Sequence, residues 1–138
     1  MVNSRFSVAI HILSLIASTK NNSHALTSDF IASSVNTNPV VIRRISSQLK
    51  KAGLIVSHAG LSGYELALSP KDITLLDIYR AVQAPEDLFA IHDNPNPNCA
   101  VGKQIQSTLD DVFSSVQQAM ESKLQEETLQ DILDHLFS

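Results

Sequence analysis

A tight turn at residues 36–39 (Asn-Thr-Asn-Pro) constrains the fold more than any other stretch of this 138-residue chain. Asparagine tolerates backbone angles that most residues avoid, and proline favours the first position of a helix. One helical pattern begins at residues 27–29 and ends near Val35. A second runs from Pro39 to Ala52, with Gly53 as its predicted C-cap. Two short helices joined in this way form a helix-turn-helix.

The periodicity changes directly after Gly53, which predicts a β-hairpin. Residues 54–58 (Leu-Ile-Val-Ser-His) have the composition of a strand, residues 59–63 form a loop, and residues 64–68 alternate as a returning strand. A hairpin that follows a helix-turn-helix is the wing of a winged helix. The sequence therefore predicts a winged helix-turn-helix centred on residues 28–68.

Helices are predicted on both sides of this unit, at residues 3–19, 73–83 and 128–136. A long helix of residues 99–124 carries a narrow apolar stripe, formed by Val101, Ile105, Leu109, Val112, Val116 and Met120. Such a stripe packs either within a monomeric core or against a second helix, as in a coiled coil. Because helix-turn-helix proteins usually bind two-fold sites as dimers, we assign it to dimerisation.

The predicted fold class is mainly α with a small β-hairpin, a winged helix-turn-helix followed by a long C-terminal dimerisation helix. Residues 1–85 are predicted to form the DNA-binding domain. Residues 86–98 are rich in turn-forming residues and are predicted to be a connecting loop and a possible effector region. Residues 99–138 hold the dimerisation helix and a terminal helix.

The net charge of −4 is unevenly distributed along the chain. Residues 1–70 hold six Lys or Arg and two Asp or Glu, a net +4, whereas residues 71–138 hold four basic and twelve acidic residues, a net −8. Such segregation also arises by chance. A basic unit joined to an acidic one is nevertheless what phosphate binding at one end requires.

Several functional classes are disfavoured by the sequence. No apolar run approaches the roughly 20 residues of a membrane span, and the N-terminus lacks a signal-peptide cleavage pattern. Cys99 is the single cysteine, which excludes an intrachain disulfide and fits a reducing cytoplasm. Glycine-rich phosphate loops, HExxH and GxSxG motifs are absent. We therefore expect a cytoplasmic protein that is not an enzyme and binds no membrane.

The second helix of the helix-turn-helix has two different faces. The inward face is apolar and consists of Ile42, Ile45, Leu49 and Ala52. The outward face consists of Val40, Arg43, Ser47 and Lys50, flanked by Arg44 and Lys51. Arginine can bridge the two acceptors of guanine, an apolar group can meet a thymine methyl, and lysines at the helix end suit phosphates. Ordinary solvated charges are the alternative interpretation, which the following wing disfavours.

Other candidates lie at the edges of this face. Thr27 and Ser28 can hold a phosphate through hydroxyl and backbone N–H groups at a helix start. Asn38 in the turn and His58 in the wing are also assigned to the interface. The predicted DNA-binding residues are thus Thr27, Ser28, Asn38, Val40, Arg43, Arg44, Ser47, Lys50, Lys51 and His58.

Cys99 follows Asn98, a predicted N-cap, and is expected in the first turn of the long helix. Backbone N–H groups and the helix dipole stabilise a thiolate there, which makes Cys99 a candidate redox sensor. An inert buried cysteine is the alternative. No metal site is predicted, because the spacing of Cys99 and His92 matches no standard ligand pattern.

Four segments carry a family pattern: residues 5–13 (RFSVAIHIL), residues 40–45 with 49–55 (VVIRRI and LKKAGLI), residues 63–67 (GYELA) and residues 73–82 (ITLLDIYRAV). Together they resemble the Rrf2 family of bacterial winged-helix transcriptional regulators, the family of the iron–sulfur regulator IscR. The resemblance implies a homodimeric repressor or dual regulator in which the long helix forms the dimer interface.

The chain departs from the family pattern in two places. Cluster-binding members carry three cysteines before the long helix, whereas this chain has Cys99 alone and resembles the cluster-free branch at residues 94–102. We therefore expect no cofactor, an iron–sulfur cluster in particular. The wing has His58 and Ser62–Gly63 where the family commonly has a basic residue and a Gly-Gly pair, which weakens the expected minor-groove contact.

These observations predict a sequence-specific DNA-binding transcriptional regulator, a repressor that acts as a homodimer on a palindromic operator and responds to thiol oxidation. Its partners are then double-stranded DNA and a second copy of the chain, with a small-molecule or protein effector as a further option. Two alternatives remain. The winged helix could dock a partner protein, or a small molecule bound near residues 87–98 could be the switch.

Overall fold

The structure, a computed structural model, describes residues 4–18, 28–57, 63–83 and 95–138. Its helices are α1 (Arg5–Ser18), α2 (Ser28–Val35), α3 (Pro39–Lys51), α4 (Leu75–Val82), α5 (Ala100–Glu126) and α6 (Leu129–Leu136). The strands β1 (Ile55–Val56) and β2 (Glu65–Leu66) form an antiparallel pair, and a short 3₁₀ helix (Pro70–Asp72) precedes α4. The predicted fold class, mainly α with a small β-hairpin and a long C-terminal helix, is confirmed, and the dimerisation role of that helix stays a prediction.

Helix α1 buries one face at the centre of the winged helix. Its buried apolar residues recur at intervals of three and four, and they are Ala9, Ile12, Leu13 and Ile16. The same core contains residues of α3, α4 and α6, namely Ile42, Ile45, Leu49, Ile78, Val82 and Leu129. Phe6 packs edge-on against Tyr79, with ring centroids 5.6 Å apart, and so fastens α1 to α4.

The turn between α2 and α3 is formed by the residues that predicted it. Asn36 has a φ of +64°, in the left-handed region that asparagine tolerates better than most residues. The side-chain oxygen of Asn38 accepts a 3.0 Å hydrogen bond from the N–H of Val41, so Asn38 is the N-cap of α3. Pro39 occupies the first helical turn, where its missing N–H is not needed.

Helix α3 ends in a Schellman motif. Gly53 has a φ of +82°, and its N–H donates to the carbonyl of Lys50, while the N–H of Leu54 donates to the carbonyl of Leu49, each at 3.0 Å. The C-cap is Ala52, so the assignment of the cap to Gly53 was one residue too late. Ala52 is exposed, and its predicted place on the inward face is wrong, because the helix ends before that face would continue.

The two strands of the wing are shorter than the sequence pattern predicted. Ile55 pairs with Leu66 and Val56 with Glu65, and the N–H of Ala67 donates to the carbonyl of Leu54 at 2.9 Å. Leu54 and Ile55 are both buried, so the first strand is anchored in the core as it leaves α3. Residues 58–62, the predicted end of the first strand and most of the loop, lie outside the described residues.

We expect Gly53→Ala to lower the free energy of unfolding by about 1 kcal/mol, because alanine is strained in the left-handed region. An added Cβ would meet no atom within 4 Å, so the loss comes from the backbone angle and not from a clash. Chemical denaturation measures it. Gly53→Asn is the matched control and should lose less, since asparagine tolerates positive φ. Equal stability of the wild type and the alanine variant would contradict the prediction.

The end of α5 is fastened to the start of α4. Thr74 and Thr128 form an antiparallel bridge, in which the N–H of Leu75 donates to the carbonyl of Glu127 and the N–H of Leu129 to the carbonyl of Ile73, both at 2.8 Å. Each threonine also caps the helix that follows it, through a capping box with an aspartate three residues on. The long helix therefore leaves the winged helix from a fixed point.

Helix α5 is 27 residues long, about 40 Å at 1.5 Å per residue, and none of its residues is buried. A 2.9 Å ion pair between Arg80 and Glu121 joins its second half to α4. The apolar stripe stays open: Val101 is 67% exposed, Val112 50% and Val116 47%. Within the described residues, no helix combines the length and apolarity needed to cross a bilayer.

Candidate nucleic-acid interface

The outward face of α3 is accessible along its whole length. The predicted outward residues are all exposed, and they are Val40, Arg43, Arg44, Ser47, Lys50 and Lys51. Beneath them, Ile42, Ile45 and Leu49 are buried in the core. Burial of the apolar face fixes the rotation of α3 about its axis, so the cations on the opposite face are exposed to solvent.

The charge of this face has one sign. Helix α3 holds Arg43, Arg44, Lys50 and Lys51 and no acidic residue. Carboxylates are concentrated in α5 and α6 instead, at Asp110, Asp111, Glu121, Glu126, Asp131 and Asp134. A helix with four cations and no carboxylate attracts a polyanion, whereas the C-terminal helices would repel one.

Val40 stands out on this face because it is an exposed apolar residue in the first turn of α3. It is 55% exposed, although valine is usually buried. The first turn of a recognition helix is the part that reaches base edges, and a thymine methyl is the apolar group found there. Solvation of charged side chains, the alternative interpretation of this face, does not explain why a valine is exposed here.

Asn38 has a structural role that its assignment to the interface did not include. Its side-chain oxygen is bonded to the N–H of Val41, so it is the N-cap that sets the direction of α3. Asn38 is exposed, and its capping bond contributes to the site by positioning α3. Asparagine before proline is a common N-cap pattern, so the sequence of the turn already indicates this capping role.

The side chain of Lys50 is held by the wing. Its Nζ donates a 2.7 Å hydrogen bond to Oγ of Ser57, the residue after β1. Sequence reasoning missed Ser57, because the contact joins residues on either side of a helix end. Lys51, by contrast, forms no side-chain hydrogen bond or ion pair with any described residue.

Three assigned residues are not fully placed. Thr27 and His58 lie outside the described residues, and so does nearly all of the proposed effector region at residues 86–98, of which only residues 95–98 are described. Ser28 begins α2, but its side chain is not described. Helix α2 itself is anchored by the buried Ile31 and Ala32, and Oγ of Ser34 lies 3.3 Å from Nε2 of His11 on α1.

Cys99 is exposed at the start of α5, so it is not buried within the chain, and its reactivity stays a prediction. Asn98 is not the N-cap. Cys99 itself holds that position, with extended backbone angles of −94° and 134°, because the N–H of Asn98 is turned back to the side chain of Asn96 at 2.9 Å. Backbone N–H groups of Gly102 and Val101 lower the pKa of Cys99, which favours the thiolate.

The turn before α5 packs closely on its first helical residues. A Cβ on Gly102 would overlap the carbonyl oxygen of Asn96, and this carbonyl accepts a 3.3 Å hydrogen bond from the N–H of Cys99. Gly102 is therefore required for the turn to approach the helix. Among the described residues, no group of three or more His, Cys, Asp or Glu side chains is placed to hold a metal ion.

Comparison with known proteins shows which proteins the chain is similar to. Residues 2–135 match the profile of the Rrf2 family, described as iron-dependent transcriptional regulators. YwnA of Bacillus subtilis strain 168, a protein named as an HTH-type transcriptional regulator, is 56% identical over 137 residues, which are 99% of this chain and 100% of that protein.

Solved structures are similar over almost their full length. A crystal structure described as that of a DNA-binding protein is 49% identical, with a TM-score of 0.77, and the match covers 94% of this chain and 99% of the other. CymR, the global cysteine regulator of B. subtilis, is 22% identical with a TM-score of 0.68, over 97% of this chain and 96% of the other, and shows the shared fold alone.

Proposed function

Because the chain belongs to the Rrf2 family of DNA-binding transcriptional regulators, we propose that it is a homodimeric repressor that inserts α3 into the major groove of a palindromic operator. The observation that carries the proposal is the outward face of α3, where an exposed Val40 in the first turn is followed by exposed cations. In this proposal Arg43 reads guanine, Val40 meets a thymine methyl, and Ser47 reaches an adjacent base.

The remaining cations hold the sugar–phosphate backbone. Arg44, Lys50 and Lys51 flank the reading face, and two of them lie in the last turn of α3, away from the base-reading end. Thr27, Ser28 and Asn38 would hold phosphates near the start of the two helices, and His58 would approach the minor groove from the wing. Phosphate contacts fix the register of α3 in the groove without reading sequence.

The dimer is proposed from the open stripe of α5. Val101, Val112 and Val116 are about half or more exposed in a helix that has no buried residue, and Ile105, Leu109 and Met120 continue the stripe. A second copy of α5 covers such a stripe along its length, and a two-fold pair of winged helices matches a palindrome. The protein would act in the cytoplasm, where its DNA target is.

Sequencing the genomic DNA that the purified protein retains tests the proposal. The expected result is a palindrome with half-sites one or more helical turns apart, upstream of genes whose transcription rises when the protein is absent. Bound sites without two-fold symmetry would contradict the dimer, and transcription that falls in the absence of the protein would contradict repression. Capture of a protein without DNA would favour the alternative of a winged helix that docks a protein partner.

We also propose that this protein works without an iron–sulfur cluster, although its family is described as iron-dependent. The donor set does not fit a cluster, since one chain supplies a single thiolate, Cys99, and such clusters are held mainly by several cysteines. No step of its regulation is therefore assigned to iron.

The signal proposed here is oxidation of Cys99. Its thiolate would attack a hydroperoxide, which breaks the O–O bond, oxidises the sulfur to a sulfenic acid and, after uptake of a proton, releases water or an alcohol. The thiolate accepts hydrogen bonds from the backbone N–H groups of Gly102 and Val101, so oxidation of the sulfur would alter these bonds at the start of α5. Since α5 is fastened to α4 at its other end, the disturbance can alter the spacing of the two winged helices.

We expect hydrogen peroxide to lower the operator affinity of the wild type and to leave the affinity of Cys99→Ser unchanged. Fluorescence anisotropy with a labelled operator duplex measures both, and mass spectrometry detects the added oxygen on Cys99. The serine variant should match the wild type before oxidation, because Cys99 is not on α3. An equal response of both proteins would reject Cys99 as the sensor and favour a small molecule bound near residues 87–98.

A further inference from the structure

We propose that Lys50 and Ser57 form one phosphate-binding site at the junction of α3 and the wing, with a backbone phosphate of double-stranded DNA as its ligand. The pair rests on the proposed function, since it requires α3 to lie in a groove of DNA. Ser57 is the new element: it follows β1, is half-buried, and accepts a 2.7 Å hydrogen bond from Nζ of Lys50.

The backbone fixes the distance between the two residues. The Schellman motif that ends α3 holds the carbonyls of Leu49 and Lys50, and the buried Leu54 and Ile55 anchor the chain immediately afterwards. The strand then pairs with β2 up to Val56, one residue before Ser57. The backbone from Lys50 to Val56 is therefore tied to the core or to the hairpin, which holds the two residues close enough for their side chains to meet.

The hydrogen-bonding capacity of the pair suits a phosphate. A lysine ammonium has three donors, so one bond to Ser57 leaves two. The hydroxyl of Ser57 accepts from Lys50 and retains its own O–H to donate. A phosphate oxygen at the junction thus meets an ammonium and a hydroxyl donor together, and charge-assisted bonds of this kind are among the strong ones.

Holding Lys50 in advance also reduces the cost of binding. A free lysine side chain has four flexible carbons and loses rotamer entropy when it is fixed at an interface. The hydrogen bond to Ser57 already restricts Lys50 in the free protein, so less side-chain entropy remains to be lost when DNA binds. Lys51 has no such partner among the described residues, so it provides the matched comparison on the same turn of α3.

A double-mutant cycle tests the pair, with a fluorescent duplex of mixed sequence as the probe, since phosphate contacts do not depend on base sequence. We expect Ser57→Ala to weaken binding about 3–10-fold although it removes no charge, and to have a clearly smaller effect in a Lys50→Ala background, where only the bond from the hydroxyl itself remains to be lost. Ser57→Thr keeps the hydroxyl and should bind like the wild type. Thermal melting of each variant separates a folding defect from a binding defect.

Lys51→Ala provides the comparison, and Ser57→Ala should weaken that variant by the same factor as the wild type. The proposed site would be overturned if Ser57→Ala and Lys50→Ala weakened DNA binding independently of each other, or if Ser57→Ala did not weaken it at all. In either case Arg43→Ala would still change base preference, so the proposed function would stand. Failure of the wild type to bind any duplex would instead reject the proposed function itself.

Discussion

An Arg43→Ala variant should bind its operator about 5- to 150-fold more weakly than the wild type, which corresponds to the roughly 1–3 kcal/mol that a bidentate arginine–guanine contact contributes. Arg43 is exposed on α3, one turn after Val40, and its neighbour Ile42 is buried, so the backbone that carries it is fixed by the core. The loss should be largest for duplexes that carry guanine at the contacted position, because other duplexes lose only the general attraction of one positive charge.

The measurement is a set of dissociation constants for four duplexes, namely the operator and three in which the contacted base pair is replaced. The wild type should prefer one base strongly, and Arg43→Ala should bind all four with similar affinity. Arg43→Lys keeps the charge but loses the planar fork, so it should retain general affinity and lose most of the base preference. Undiminished preference in the alanine variant would show that Arg43 does not read the base.

Lys51→Ala is the contrasting variant on the same helix. It should weaken binding to the operator and to unrelated duplexes by a similar factor, because a phosphate contact carries no sequence information. The salt dependence should change with it, and the slope of log K against log salt should fall by about 0.9 for each lost contact. Arg43 and Lys51 therefore separate base reading from backbone attraction within one helix.

The winged helix was predictable from the sequence because its signals are local. Asn36, Pro39 and Gly53 specify a turn, a helix start and a helix end through their own backbone preferences, and each is found in that role or one residue from it. The faces of α3 were predictable in the same way, since the burial of Ile42, Ile45 and Leu49 follows the helical period. Only Ala52, the C-cap that follows the last helical residue, was misplaced on that face.

Contacts between distant segments were not predictable. The bridge between Thr74 and Thr128 joins two helix caps that look like ordinary local signals, and nothing in either segment points to the other. The same is true of the ion pair between Arg80 and Glu121. Sequence patterns predict which residues begin a helix, whereas the packing of the whole chain decides which helix starts lie side by side.

The N-cap of α5 was also predicted incorrectly, although the residues that decide it lie close together in the sequence. Asparagine is a better N-cap than cysteine, so Asn98 was the expected cap. The side chain of Asn96 instead binds the N–H of Asn98, and Gly102 permits the turn to close on the helix. A shift of one residue changes the chemistry, because Cys99 moves from the first turn to the cap, where it is exposed.

Replacing Val112 and Val116 together by glutamate should dissociate the proposed dimer and abolish operator binding at concentrations that saturate the wild type. The two residues lie one turn apart on the open stripe, and a paired α5 would bury four added carboxylates per dimer without partners. Burying an unpaired charge costs several kcal/mol, so the dimer dissociation constant should rise at least about 100-fold. Analytical ultracentrifugation measures this constant directly.

Ser114→Glu is the matched control, because Ser114 is exposed on the opposite face of the same helix and a glutamate there stays in water. Glutamate is a good helix former, so none of these substitutions should unfold α5 itself, and circular dichroism should show equal helix content. A double glutamate variant that remains dimeric would place the interface elsewhere. A monomeric variant that still binds a single half-site weakly, with its Arg43 preference intact, would separate the two parts of the proposal: α3 reads the base, and α5 sets the symmetry of the site.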